Sequence, residues 1–245
     1  MSTQSANVTN KNMPSASNST SGRNSSAANI IWLQLQSLVN TINHILIGLI
    51  ALYITILGRS LDFQNTAMHA FLTIIGFNVL MAEGLMSHYP INFVTNRFSH
   101  RTKSKIHGVL LMVGGSLALL GSFGKISQTE LHFSTLHGKI GLAATFLCIA
   151  SIIGGLVNYF QPTLALKVYT PATIKYRHNF FGMVTFTLGM FTIYLGYRTK
   201  FAYKYMDPEF IAVISLATVL VYIFTMIGPL RSFLDKMRYR KQFRK

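Results

Sequence analysis

From residue 39 onward the chain alternates long apolar runs with short polar breaks. Six of the runs approach the ~20 residues a helix needs to cross a hydrocarbon layer of about 30 Å. They cover 39–57, 67–87, 106–123, 134–160, 176–196 and 209–230. The strands of a membrane barrel need only about ten residues each. Runs twice that length predict helices, whose backbone hydrogen bonds close within the segment. The breaks are too short for a soluble domain, so the pattern predicts an all-α membrane protein, a bundle of six transmembrane helices over residues 30–230. Residues 1–29 are rich in Ser, Asn and Thr and nearly devoid of apolar side chains, so a disordered tail is expected there. Residues 231–245 form a second, basic tail.

Composition agrees with this picture. Charged residues are 11% of the chain and AVILMFWYC 50%, far less charge than the roughly 25% of soluble domains. The net charge of +16 raises nucleic acid as a partner, but its distribution favours another reading. Six spans place both ends on one side. That side collects 16 of the 22 Lys and Arg, namely Lys11, Arg23, Arg97, Arg101, Lys103, Lys105, Lys167, Lys175, Arg177 and seven from Arg231 onward. The other side has six: Arg59, Lys125, Lys139, Arg198, Lys200 and Lys204. By the positive-inside rule both termini are expected in the cytoplasm. The charge is then a topology signal with membrane lipid as its neighbour, and no nucleic acid is expected. Sequons at Asn7, Asn18 and Asn24 point the other way, but an Asn/Ser-rich tail produces such triplets by chance. A single cysteine, Cys148, excludes an intrachain disulfide, a thiolate zinc site and covalent c-type haem attachment.

Four of the eight histidines, His69, His107, His137 and His178, lie at or just inside the starts of four consecutive runs. Ionisable groups in spans usually face the bundle interior. Because consecutive helices run antiparallel, the four alternate between membrane faces: His69 and His137 near the non-cytoplasmic one, His107 and His178 near the cytoplasmic one. Two imidazoles on facing helices suit a haem iron, whose other positions the porphyrin fills. Zinc would need a third or fourth donor, which neither level offers. Residues four or seven after a ligand share its helix face. Gly76, Gly114, Gly141 and Gly182 stand there, predicting room for a flat macrocycle on all four helices. His44, early in the first run, rivals His107 and His178 by position. Glu83 is the one carboxylate well inside a run. The competing class is a transporter moving protons or metal ions along intramembrane histidines.

The motifs carrying these histidines are Met68-His69-Ala70, K-x-K-x-H-G at Lys103 to Gly108, L-H-G-x-x-G at Leu136 to Gly141 and Y-R-H-x-F-F-G at Tyr176 to Gly182. In this order and at this spacing the chain resembles the cytochrome b561 family over about residues 39–230. The resemblance implies two haem b groups in a four-helix core of spans two to five. Their axial ligands would be His69 with His137 on the non-cytoplasmic side and His107 with His178 on the cytoplasmic side, leaving His44 a non-ligand. It further implies an ascorbate-dependent transmembrane oxidoreductase, with cytosolic ascorbate as donor and ferric iron or monodehydroascorbate as acceptor. A homodimer in an endomembrane, the endoplasmic reticulum or a vesicle, is the expected setting. Lys103, Lys105 and Arg177, next to His107 and His178, are the expected contacts of the ascorbate anion. The chain departs from the family at Ala70, where proline is common, and at Gly138-Lys139, where Ser-Trp is common.

Overall fold

The computed structural model describes residues 17–89, 91–130, 132–164 and 171–242. Among them every regular element is helical: α1 (Ser17–Ser60), α2 (Thr66–Ile74), a π-helical segment (Ile75–Met81), α3 (Ala82–Met86), α4 (His100–Ser127), α5 (Leu136–Leu164), α6 (Pro171–Gly196), α7 (Lys200–Tyr205) and α8 (Pro208–Gln242). Six helical stretches are long and apolar enough to cross a membrane, Asn29–Ser60, Thr66–Met86, His100–Ser127, Leu136–Phe160, Ala172–Gly196 and Pro208–Arg238. They match the six apolar runs and extend beyond most of them, because helical backbone continues past the apolar window into polar ends. The first helix begins at Ser17, inside the stretch expected to be disordered. The rest of that stretch, 1–16, and the last residues of the basic tail, 243–245, lie outside the described residues.

Local chemistry explains several boundaries. Ser99 caps α4, its Oγ accepting from the Thr102 amide at 3.2 Å, which satisfies one of the orphan donors of the first turn. Pro171 and Pro208 open α6 and α8, the position where a missing amide proton costs nothing. Pro229 lies inside α8, where it removes one intrahelical bond.

Ring contacts establish which ends meet. Tyr176 of α6 stacks on Phe233 of α8 at 5.0 Å on the side where α1 enters and α8 leaves, here termed the terminal face. On the opposite face Tyr53 of α1 stacks on Phe210 of α8 at 5.6 Å, and Lys125 Nζ at the end of α4 donates to Thr66 Oγ1 at 2.7 Å.

The large buried apolar side chains come from spans one, two, five and six, among them Ile50, Ile54, Phe77, Met86, Phe186, Met190 and Val221. Spans three and four bury small residues instead: Gly114, Gly115, Ala118 and Gly121 on α4 and Ala144 and Cys148 on α5. In lipid, where no hydrophobic effect drives helices together, small residues allow the close backbone approach that supplies packing energy. A Cβ at Gly114 would stand 2.8 Å from the Gly76 carbonyl oxygen, so α4 meets the π segment of span two backbone to backbone.

Candidate haem-binding site

The histidines that open four spans meet as two pairs. His69 on α2 and His137 on α5 have ring centroids 6.1 Å apart with planes at 86°. His107 on α4 and His178 on α6 are 6.4 Å apart at 85°. Each pair joins non-consecutive spans, as the alternation of helix direction predicts. On α4, His107 and the glycine at 121 that touches His69 are separated by about four helical turns, which puts the two levels about 20 Å apart along the axis.

Three of the rings are tethered from behind. His69 Nδ1 donates to the Gly121 carbonyl at 2.9 Å, His107 Nδ1 to the Gly84 carbonyl at 3.0 Å and His137 Nδ1 to the Thr192 carbonyl at 3.0 Å. A carbonyl accepts only, so Nδ1 carries the proton and Nε2 is left with a free lone pair. The tethers cross between neighbouring helices: α2 to α4, α3 to α4 in the reverse direction, and α5 to α6. His178 Nδ1 is buried with no hydrogen-bond partner among the described residues.

Glycines make room for two of the rings, but not those the ligand-helix spacing suggested. A Cβ at Gly155 of α5 would stand 3.4 Å from His178 Cε1, and one at Gly196 of α6 would stand 3.4 Å from His137 Cε1. Of the four glycines expected to face a macrocycle, Gly76 and Gly114 are spent on each other and Gly141 packs against Thr192 at 3.2 Å. Only Gly182 opens onto free space. The space beside His178 and His137 is supplied by the neighbouring helix, a relationship that spacing along one helix does not contain.

Other polar groups gather at the terminal face. His88, just past α3, lies 5.3 Å from the His107 ring and 5.4 Å from His100. Partial burial, with His107, His100 and Lys103 nearby, pushes its pKa down to about 4, leaving it neutral at pH 7. Lys103 is folded in, 9% exposed, whereas Lys105 is exposed, because residues two apart on a helix face different directions. Arg177 is exposed and borders a cleft of about 170 Å³ between α5 and α6, with Gly154, Ser151, His178 and Phe181 on its walls. His44 is in neither pair: its Nδ1 lies 2.7 Å from Glu83 Oε1. No spacing singles out His88 or His100 in the sequence; their one legible feature is proximity to a span end on the same face as His107.

The residues fit haem b. A bond of about 2.0 Å from one metal to a nitrogen of each ring, extended to the two ring centres, gives roughly 6 Å between centroids, the separation seen at both levels. Among the described residues no group of three or more His, Cys, Asp or Glu could hold a metal ion by itself. That leaves the donor count of a bis-imidazole haem rather than of a structural zinc or non-haem centre.

Known proteins resemble the chain over this core. Mouse and human proteins named Transmembrane reductase CYB561D2 are each 30% identical over 132 residues, covering 52% of this chain and 59% of theirs. The bovine protein of that name is 28% identical over 170 residues, covering 68% of this chain and 75% of its own length. The chain thus spans about three-fifths of the mouse and human relatives. The family model for eukaryotic cytochrome b561 matches residues 68–204, a stretch containing all four paired histidines, and the chain belongs to that family.

Proposed function

We propose that the chain is a transmembrane electron carrier with two haem b groups, one held by His69 and His137 and the other by His107 and His178. One observation carries this reading: two facing imidazole pairs at opposite ends of a helical bundle, with three of the four Nδ1 atoms anchored to backbone carbonyls. Haem b, when bound, supplies a one-electron ferric/ferrous couple in a low-dielectric surround. The chain's own residues do the rest. The carbonyls of Gly121, Gly84 and Thr192 fix tautomer and ring orientation and raise the basicity of Nε2. Gly155 and Gly196 let a helix backbone close against His178 and His137. The Lys and Arg excess on the terminal face orients that face to the cytoplasm.

The donor on this reading is cytosolic ascorbate, an anion drawn to Lys105 and Arg177, with Lys103 set deeper beside His88. The acceptor is ferric iron or monodehydroascorbate on the other face. The name borne by the mammalian relatives, transmembrane reductase, and the family's own chemistry support an ascorbate-dependent oxidoreductase of this kind, placed as a homodimer in an endomembrane. The test is the visible spectrum of the purified chain before and after ascorbate. A Soret band that shifts on reduction, and that loses about half its intensity in His107→Ala and the other half in His137→Ala, is the expected result. Absence of haem, or a content indifferent to both substitutions, refutes it.

A further inference from the structure

A polar cluster at the terminal face joins α1 to span two, outside the two imidazole pairs. His44 of α1 and Glu83 of α3 approach at 2.7 Å between Nδ1 and Oε1, with 18% and 27% of their side chains exposed. Asn92, 1% exposed, lies on the other side of the imidazole. Its Oδ1 accepts from the Val94 and Thr95 amides at 2.8 and 2.9 Å, so the amide cannot be reversed. Its Nδ2 therefore donates to the Met86 carbonyl at 3.1 Å and faces His44 Nε2 at 3.5 Å. An amide donor at 3.5 Å from Nε2 matches a lone pair there and a proton on Nδ1 toward Glu83. An imidazole with a free nitrogen on one side and a carboxylate behind it is the arrangement of a general base: protonation at Nε2 creates an imidazolium that Glu83 already stabilises.

The cluster is also wired to a haem ligand. Glu83 is one peptide unit from Gly84, whose carbonyl accepts from His107 Nδ1 at 3.0 Å. Beneath the dyad, Asn43 Nδ2 donates to Thr225 Oγ1 at 3.0 Å, while Asn43 Oδ1 and both amide atoms of Asn40 are buried without protein partners among the described residues. His44 itself reaches solvent, with 18% of its side chain exposed. The titratable and charged groups on the elements packed around the dyad at this face are His88, Tyr89 and Arg97 of the connection after α3, His100, Arg101, Lys103, Lys105 and His107 of α4, and Arg231, Asp235, Lys236 and Arg238 of α8. Tyr89 and Arg231 act on one another, and Lys236 acts on His88 and His178.

We propose that His44 and Glu83 form a proton-accepting dyad that balances the charge of an electron arriving at the His107/His178 level. His44 Nε2 gains one proton from cytosolic water as the cytosolic reductant gives up one electron, which a haem held by His107 and His178 would take. It returns that proton when the electron moves on. Asn92 Nδ2 must then give way, since two donors cannot face each other, and its contact at 3.5 Å is already loose. This inference rests on the haem reading above.

The experiment is a potentiometric titration of the haem-loaded full chain in lipid nanodiscs from about pH 5.5 to 8. The midpoint of the haem that His107→Ala removes is expected to fall as pH rises. Glu83→Gln and His44→Gln should each cut that slope to less than half while both haems are retained. Wild-type protein reduced in weak buffer with a pH dye should take up protons, which keeps the question answerable if the variants fold poorly. A wild-type slope in both variants, or no proton uptake by wild type carrying two haems, overturns the dyad alone. A chain that binds no bis-histidine haem overturns the functional reading and the dyad with it.

Discussion

Gly196 on α6 lies against the imidazole of His137 on α5, and Gly155 on α5 lies against His178 on α6, both at 3.4 Å from Cε1 to where a Cβ would stand. The two contacts are reciprocal: each helix of the α5–α6 pair carries a histidine and the glycine that accommodates its partner's histidine. The first pair of the core shows a related reciprocity in its tethers, His69 reaching a carbonyl of α4 and His107 a carbonyl of α3. The core is thus two cross-braced helix pairs facing each other, with each imidazole pair drawn one ring from each brace.

Enlarging either α5–α6 glycine should therefore act on one level only. Gly155→Leu is expected to displace His178 and remove the terminal-face haem, and Gly196→Leu to displace His137 and remove the other. Gly108→Ala, a position with nothing within 4 Å of an added Cβ, should leave both. Haem content per chain and the redox-difference spectrum read the outcome; loss of both haems from either leucine variant would contradict the separation of levels.

Gly114 tests the first brace. A side chain there meets the Gly76 carbonyl at 2.8 Å and Leu80 Cβ at 2.9 Å, and backbone on one side cannot yield cheaply. Gly114→Val should force α4 from span two and cost on the order of 1–3 kcal/mol. Because His69 and His107 are both tethered across this contact, the substitution should lower the thermal midpoint followed through the Soret band and weaken both haems together.

The basic residues separate by burial. Lys105→Ala with Arg177→Ala should slow reduction by ascorbate by on the order of 10-fold at low salt, without haem loss, and the difference from wild type should shrink as ionic strength rises. Lys103→Ala, which removes a folded-in stem, should instead lower stability through lost packing. Stopped-flow reduction at two salt concentrations, beside thermal melts, distinguishes them.

Ser99 holds the first turn of the helix that presents Lys103, Lys105 and His107. Ser99→Ala should cost about 1 kcal/mol, and hydrogen exchange should show faster opening of the amide at Thr102, the donor to Ser99 Oγ at 3.2 Å. Exchange at the far end of α4, around Gly121, should stay unchanged.

Much of this was legible in one dimension. Apolar run length sets the number of spans, helix direction alternates with each span, and a histidine at four consecutive span starts must then fall at two depths. These are properties of each segment by itself, so the six spans and the two depths of the span-start histidines follow from the order of residues, whereas position alone left His44 a rival of His107 and His178. Helix ends follow less closely, since backbone hydrogen bonding carries α1 back to Ser17 and α8 on to Gln242 through residues too polar to count as span.

What the tertiary structure decided is everything that depends on a second helix. Gly76 and Gly114 share a face with their histidines, but which surface that face meets is set by how closely two backbones approach, and here they meet each other. The carbonyl behind each Nδ1 belongs to another span, so no spacing could name Gly121, Gly84 or Thr192. The π segment at Ile75–Met81 shifts the helical phase between His69 and Glu83, and a periodicity of 3.6 cannot foresee that shift. It leaves Asn78 fully buried and Glu83 turned to His44 on α1. Composition and periodicity are sums over a chain; contacts between helices are choices among packings, and only the folded bundle makes them.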